Sequence, residues 1–151
     1  MRIALLFVLL PALALAAPLR STVTRAPLEP AVVVVPASAG KTVLERYRSG
    51  AAAASGTALV VIVRLSDANA SDAITVTDAH RDDSKIVVAI ESRRAVATAD
   101  TTTPLVEVEL GVLPQGTFTI DIAESVRRVA KDNSIGKAQR GLSSSITLTV
   151  Q

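Results

Sequence analysis

The chain has no cysteine and no tryptophan, a single histidine, and only three other aromatic residues, Phe7, Tyr47 and Phe118. Without cysteine no disulfide can staple the fold, so stability must come from an apolar core and a backbone ladder. With so few aromatics there is no platform on which sugars or bases could stack, and the core must be built from Val, Ile, Leu and Ala. His80 alone offers one possible base for a Ser-His-Asp type arrangement, and no nucleophile motif accompanies it. No Gly-rich phosphate loop is present. A formal net charge of +2 excludes a nucleic-acid binder by charge. Beyond the first residues no apolar run reaches the roughly 18–20 residues that a membrane helix needs, so no span is expected there.

What is present begins at the N-terminus. Arg2 gives a short positive start, Ile3 to Leu10 are uninterruptedly apolar, and Pro11 ends the run. Ala14-Leu15-Ala16 supplies the small-x-small pattern read by a signal peptidase. Residues 1–16 therefore read as a secretory signal peptide, cut after Ala16. A cut one residue later would place Pro18 just behind the scissile bond. Residues 17–30 are polar, carry three prolines and read as a flexible leader. Residues 31–151 are the right size for one domain, which would bury about two-thirds of its unfolded surface.

Period-2 patterning dominates that domain. Seven strands are expected, at 31–35, 57–65, 73–77, 85–91, 105–110, 117–122 and 145–150. Val106, Val108 and Leu110 alternate with Glu107 and Glu109, and Phe118, Ile120 and Ile122 with Thr119 and Asp121. Residues 57–65 are nearly all apolar, as in a central strand. Turn clusters separate the strands, among them residues 66–72 and the polar loop 78–84. The pattern predicts an all-β antiparallel sandwich. Two segments stay open. Thr42 with Glu45 resembles a helix capping box, yet the alternation of Val43, Glu45 and Tyr47 suits a strand. Residues 123–143 fit either one helical turn or, as preferred here, a long hairpin turning at 132–136.

Candidate chemistry is sparse. Asp78, His80, Asp82 and Asp83 could gather round a divalent ion, but Arg81 sits among them and a solvated loop needs such residues anyway. No catalytic residue, metal site or cofactor is assigned, and an enzyme is not expected. Asn69-Ala70-Ser71 is an N-glycosylation sequon in an expected exposed turn. Charge is unevenly spread. Asp100, Glu107, Glu109, Asp121 and Glu124 precede a basic stretch of Arg127, Arg128, Lys131, Lys137 and Arg140. Solvated faces of opposite sign are the plain reading. Arg127, Arg128 and Lys131 are the candidates for an interaction surface.

One stretch is more distinctive. Lys41-Thr-Val-Leu44-Glu-Arg46-Tyr-Arg-Ser49-Gly50-Ala51 follows a Val-rich strand and precedes an apolar one. Asp72-Ala-Ile74-Thr-Val76-Thr-Asp78 comes next, and later Val108-Glu-Leu110-Gly-Val-Leu-Pro-Gln-Gly116-Thr-Phe118-Thr-Ile120. Over residues 32–122 this order resembles the luminal domain of the translocon-associated protein beta subunit, also called signal sequence receptor beta. The resemblance implies an Ig-like β-sandwich of about seven strands in the endoplasmic reticulum, in its lumen or at its membrane. It implies a non-catalytic module that contacts sister translocon-associated subunits and the protein-conducting channel during protein translocation. A secreted or periplasmic accessory or adhesion module is the alternative.

Overall fold

The computed structural model describes residues 21–25, 31–69, 71–95 and 101–151, with side chains from residue 31 onward. The signal peptide expected at 1–16, most of the expected leader and Asp100 lie outside the described residues.

Among the described residues ten strands form a sandwich of two four-stranded sheets and a small two-stranded ribbon. The strands are β1 (Ser21–Arg25), β2 (Val32–Pro36), β3 (Ala58–Arg64), β4 (Ala68–Asn69) and β5 (Ala73–Asp82). They continue with β6 (Lys85–Arg94), β7 (Thr101–Thr102), β8 (Pro104–Val112), β9 (Gly116–Arg128) and β10 (Gln139–Val150). Sheet I has the order β1-β8-β3-β2, sheet II the order β10-β9-β6-β5, and β4 pairs with β7. The all-β sandwich expected from the patterning is therefore what the chain forms.

The antiparallel expectation is corrected at one place. β6 and β9 run parallel, in register from Lys85 opposite Thr119 to Arg94 opposite Arg128. A parallel pair needs a crossover connection. β8 provides it by crossing to sheet I between the two strands.

The core lies where alternate residues of the two sheets meet. Val61 and Val63 of β3 and Val106 and Val108 of β8 face Ile86, Val88 and Ile90 of β6 and Phe118, Ile120 and Ile122 of β9. β3 is buried along most of its length because its other face is covered too. The cover is helix α1 (Val43–Ser49), which lays Val43 and Tyr47 on Val35, Val60, Ile62 and Leu105.

α1 resolves the first open segment in favour of the capping box. The Thr42 hydroxyl accepts from Glu45 N at 3.2 Å, and Glu45 Oε2 accepts from Thr42 N at 3.2 Å and Lys41 N at 2.7 Å. Such a cap contributes about 1 kcal/mol. The strand-like alternation of Val43 and Tyr47 is at the same time an i, i+4 helical pair. Gly50 closes the helix at φ 59°, a left-handed conformation that favours glycine.

The second open segment is the preferred hairpin. β9 and β10 pair antiparallel, with Asn133 at φ 63° in the turn and Gly136 N bonded to Arg128 O at 2.8 Å. Two expectations are corrected. Ser21–Arg25, read as part of a flexible leader, is a strand on the edge of sheet I beside β8. Residues 78–82, read as a polar loop, continue β5. The turn is only Asp83 and Ser84, with Asp83 at φ 46°. A strand at the sheet edge can hold polar side chains toward solvent, so polarity there did not exclude a strand.

Candidate functional site

Along β6 and β9 the inward-facing side chains change character. On β6 the series Ile86, Val88, Ile90 gives way to Ser92 and Arg94. On β9 Phe118, Ile120 and Ile122 give way to Glu124, Val126 and Arg128. A cleft of about 810 Å³ opens at this polar end of sheet II, lined on the other side by Ser66, Asp67, Asn69 and Asp72.

Buried polar groups must find partners, and at the base of the cleft almost all do. The Glu124 carboxylate accepts from Ser92 Oγ at 2.5 Å, Leu142 N at 3.0 Å and Arg94 Nη2 at 3.3 Å. Arg94 also donates to Ser66 Oγ at 3.0 Å and to the Asp67 carbonyl. Its Nε is buried without a hydrogen-bond partner among the described residues. Asp72 accepts from Asn69 N at 2.9 Å and Ala95 N at 2.8 Å, and lies 3.8 Å from Arg94 Nη1. Thr103 donates to Asp67 at 2.5 Å. Arg94 thus ties Ser66, Asp67 and Asp72 to its own strand and to β9.

Above this base the cleft is more apolar. Val126, Val129 and Ile135 line it, with Arg128 at the same end. Ile135 is 51% exposed, one of two large apolar side chains so exposed among the described residues; the other is Val112. Arg128 has no side-chain hydrogen bond or ion pair among the described residues. The arrangement suits a ligand segment with an apolar group and an anionic one.

The candidate residues of the sequence fall in separate places. Arg127 and Arg128 are consecutive on β9 and therefore point to opposite faces of sheet II. Arg127 lies on the outer face, where its Nε meets Glu91 Oε2 at 3.0 Å. Glu91 is shared with Arg93 at 2.8 Å, and these bonds, Arg93 first, hold its carboxyl below the ordinary value. Lys131 is exposed in the turn. The single basic surface expected from Arg127, Arg128 and Lys131 is thus divided, and only Arg128 reaches the cleft.

Asn69 is corrected as well. It is 7% exposed, in β4, with its side-chain amide 3.5 Å from Asp72 Oδ1. A turn closes there, with Asp72 N bonded to Asn69 O at 3.1 Å and Ser71 exposed, but Asn69 itself is buried beside Asp72 and not presented to solvent. His80 meets Asp78 at 3.0 Å on β5, and no group of three or more metal-ligating side chains is gathered among the described residues. The acidic stretch is not one solvated face: Glu107 and Glu124 are buried, 5% and 4% exposed, while Glu109 is exposed and Asp121 partly so.

No family model matches the chain, and no curated protein or solved structure matches it.

The residues that sequence reasoning missed are Arg94, Asp72 and Glu124. One signal was available. Glu124 continues the inward series of Phe118, Ile120 and Ile122, so its parity already placed a carboxylate inside. The identity of its partner, thirty positions away, is set by the parallel pairing of β6 with β9.

Proposed function

We propose that the chain is a non-catalytic β-sandwich module of the secretory route that works by surface contact through this cleft. The observation that carries the reading is that one cleft is lined both by Ile135, an exposed apolar side chain, and by Arg128, whose guanidinium has no partner among the described residues. Aromatic, aliphatic and Arg anchors in desolvated pockets dominate contact energies. The acidic groups below are committed to Arg94, to hydroxyls and to backbone N–H groups, which supports a scaffold role for them. The occupant we infer is a protein segment with an apolar side chain next to a carboxylate. The resemblance to the translocon-associated beta subunit gives this reading its specific form, with sister subunits and the protein-conducting channel as partners at the endoplasmic reticulum.

The test is fractionation of cells that express the tagged full-length chain from its own gene, followed by recovery under mild detergent. Co-recovery with translocon subunits is expected. A chain recovered free from the medium or periplasm would instead favour the secreted accessory module. Charge contributes to the proposed contact, so recovery should fall as salt rises.

A further inference from the structure

Among the described residues, sheet II ends on a strand whose edge is open between a register shift at Arg140–Ser143 and the hydrogen bond from Ser55 N to Gln151 O. β10 pairs only with β9 among the described residues. The side of its backbone that faces open space follows from the ladder. Thr119 N donates to Ser84 O at 2.8 Å, toward β6, so the polar backbone groups of Thr119 point away from β10. Thr147 lies opposite Thr119 and forms a non-hydrogen-bonded pair with it. The N–H and C=O of Thr147 therefore point outward, as do those of Ser145 and Thr149 two residues on either side. Gln151, two residues further, fits the same parity, because its carbonyl reaches outward to Ser55 N at 2.9 Å.

Exposed edges invite pairing and are ordinarily blunted by charge, proline, bulges or short length. The other three edges of this sandwich carry such devices. β5 bears Asp78, His80, Arg81 and Asp82 and shifts register between Val76 and Asp78. β2 has five residues and ends in Pro36, and β1 has five residues. β10 has 12 residues; past its register shift at Arg140–Ser143, the stretch from Ser144 to Val150 carries no charge, no proline and no further shift.

We propose that β10 is a homodimerisation edge, joining sheet II of two copies into one continuous eight-stranded sheet about a twofold axis at Thr147. A second copy is the occupant that the pattern fits. With Thr147 opposite its own counterpart, Ser145 faces Thr149 of the second copy, and Ile146 faces its Leu148 on the inner side. Apolar meets apolar, hydroxyl meets hydroxyl, and no like charges are opposed. The pairing forms about six backbone hydrogen bonds from the outward-facing groups. The same self-pairing by β5 would bring its charged residues together. An isologous contact of this kind closes at two copies, because each chain has one such edge.

The chain's lack of cysteine makes the test clean. Thr147→Cys and Thr119→Cys are compared in the otherwise wild-type chain. In the proposed dimer the two Thr147 Cα atoms lie about 5.5 Å apart, within disulfide reach. Thr119 sits one strand inward on the same face and is out of reach of its counterpart. Mild oxidation should cross-link Thr147→Cys and leave Thr119→Cys monomeric. In sedimentation velocity the wild-type chain should show a concentration-dependent dimer, and Thr147→Lys should remain monomeric with the same circular dichroism spectrum. A wild-type chain that sediments as a monomer throughout, a dimer that survives Thr147→Lys, or equal cross-linking of the two cysteine variants overturns the proposal. None of these outcomes bears on the cleft, so this proposal and the contact reading fail independently.

Discussion

Arg46 of α1 grips Glu107 of β8 in a two-pronged ion pair, Nε to Oε2 at 2.6 Å and Nη2 to Oε1 at 2.7 Å. The residues are 61 positions apart, and their side chains are 14% and 7% exposed. Arg46 also donates to Gly40 O at 2.7 Å. The hydrogen bond to Glu107 is the main influence on Arg46 and holds its guanidinium above the ordinary value, against the effect of burial. The pair explains why a glutamate on sheet I can be buried: it points to the outer face, where the helix covers it.

Removing one partner should leave the other charge stranded. Arg46→Met or Glu107→Leu alone should cost about 3–5 kcal/mol in urea unfolding. The double variant should recover most of that loss, because both charges and their desolvation disappear together. A double variant as unstable as the sum of the singles would mean the pair is not coupled.

Phe118 faces Leu148 across the β9–β10 ladder and is 5% exposed. Phe118→Ala should lower stability by about 3–5 kcal/mol, from lost transfer energy plus the cavity left behind. A loss below about 1 kcal/mol in the same unfolding series would contradict its place in the core.

Gly141 sits at the register shift of β10. A Cβ built there would overlap the Glu124 carboxylate and come within 2.8 Å of Val126 Cγ2. Gly141→Ala should therefore disturb the bond from Leu142 N to Glu124 and destabilise the chain, although alanine suits a strand better than glycine. Gly56→Ala, with nothing within 4 Å but a left-handed backbone at φ 74°, should act through backbone strain alone and leave the cleft intact. Chemical-shift changes of Ser92 and Arg94 should appear in the first variant and not in the second.

Asp121 accepts from Ser145 Oγ at 2.6 Å and lies 3.0 Å from Lys85 Nζ. The Ser145 bond is the larger cause and Lys85 the next, and together they hold the carboxyl below its ordinary value of 3.8. A carboxylate lowered in the folded state contributes stability above its unfolded value. That contribution is lost as pH falls through the folded value. Carbon-detected NMR titration should place the Asp121 midpoint below 3.8, and Ser145→Ala should raise it more than Lys85→Met does. The opposite order would show that charge, not the hydroxyl, governs this site.

The sandwich was legible because period-2 alternation reports one buried face, and it is strong in residues 105–122. The hairpin of β9 and β10 was legible from matched lengths. The helix was half legible, since Val43 and Tyr47 satisfy both periods and only the cap at Thr42 decides between them. The parallel pairing of β6 with β9 was not, because no local pattern reports which distant strands become neighbours. The cleft was hidden for the same reason. Arg94 and Glu124 acquire meaning only when that pairing puts them on neighbouring strands, within hydrogen-bond reach although four register positions apart, and the separation of Arg127 from Arg128 follows from strand parity once β9 extends past Ile122.

The most direct test of the contact reading compares two charge insertions at the two exposed apolar side chains, Ile135 and Val112. Ile135 lines the cleft and Val112 does not. Ile135→Asp and Val112→Asp are expressed as tagged full-length chains, and the proteins that co-purify with each are quantified against wild type. Ile135→Asp should lose the partner that wild type retains, with an unchanged melting temperature, while Val112→Asp should keep it. Equal recovery by the two variants, or no protein partner with wild type, would contradict a module that works through this cleft.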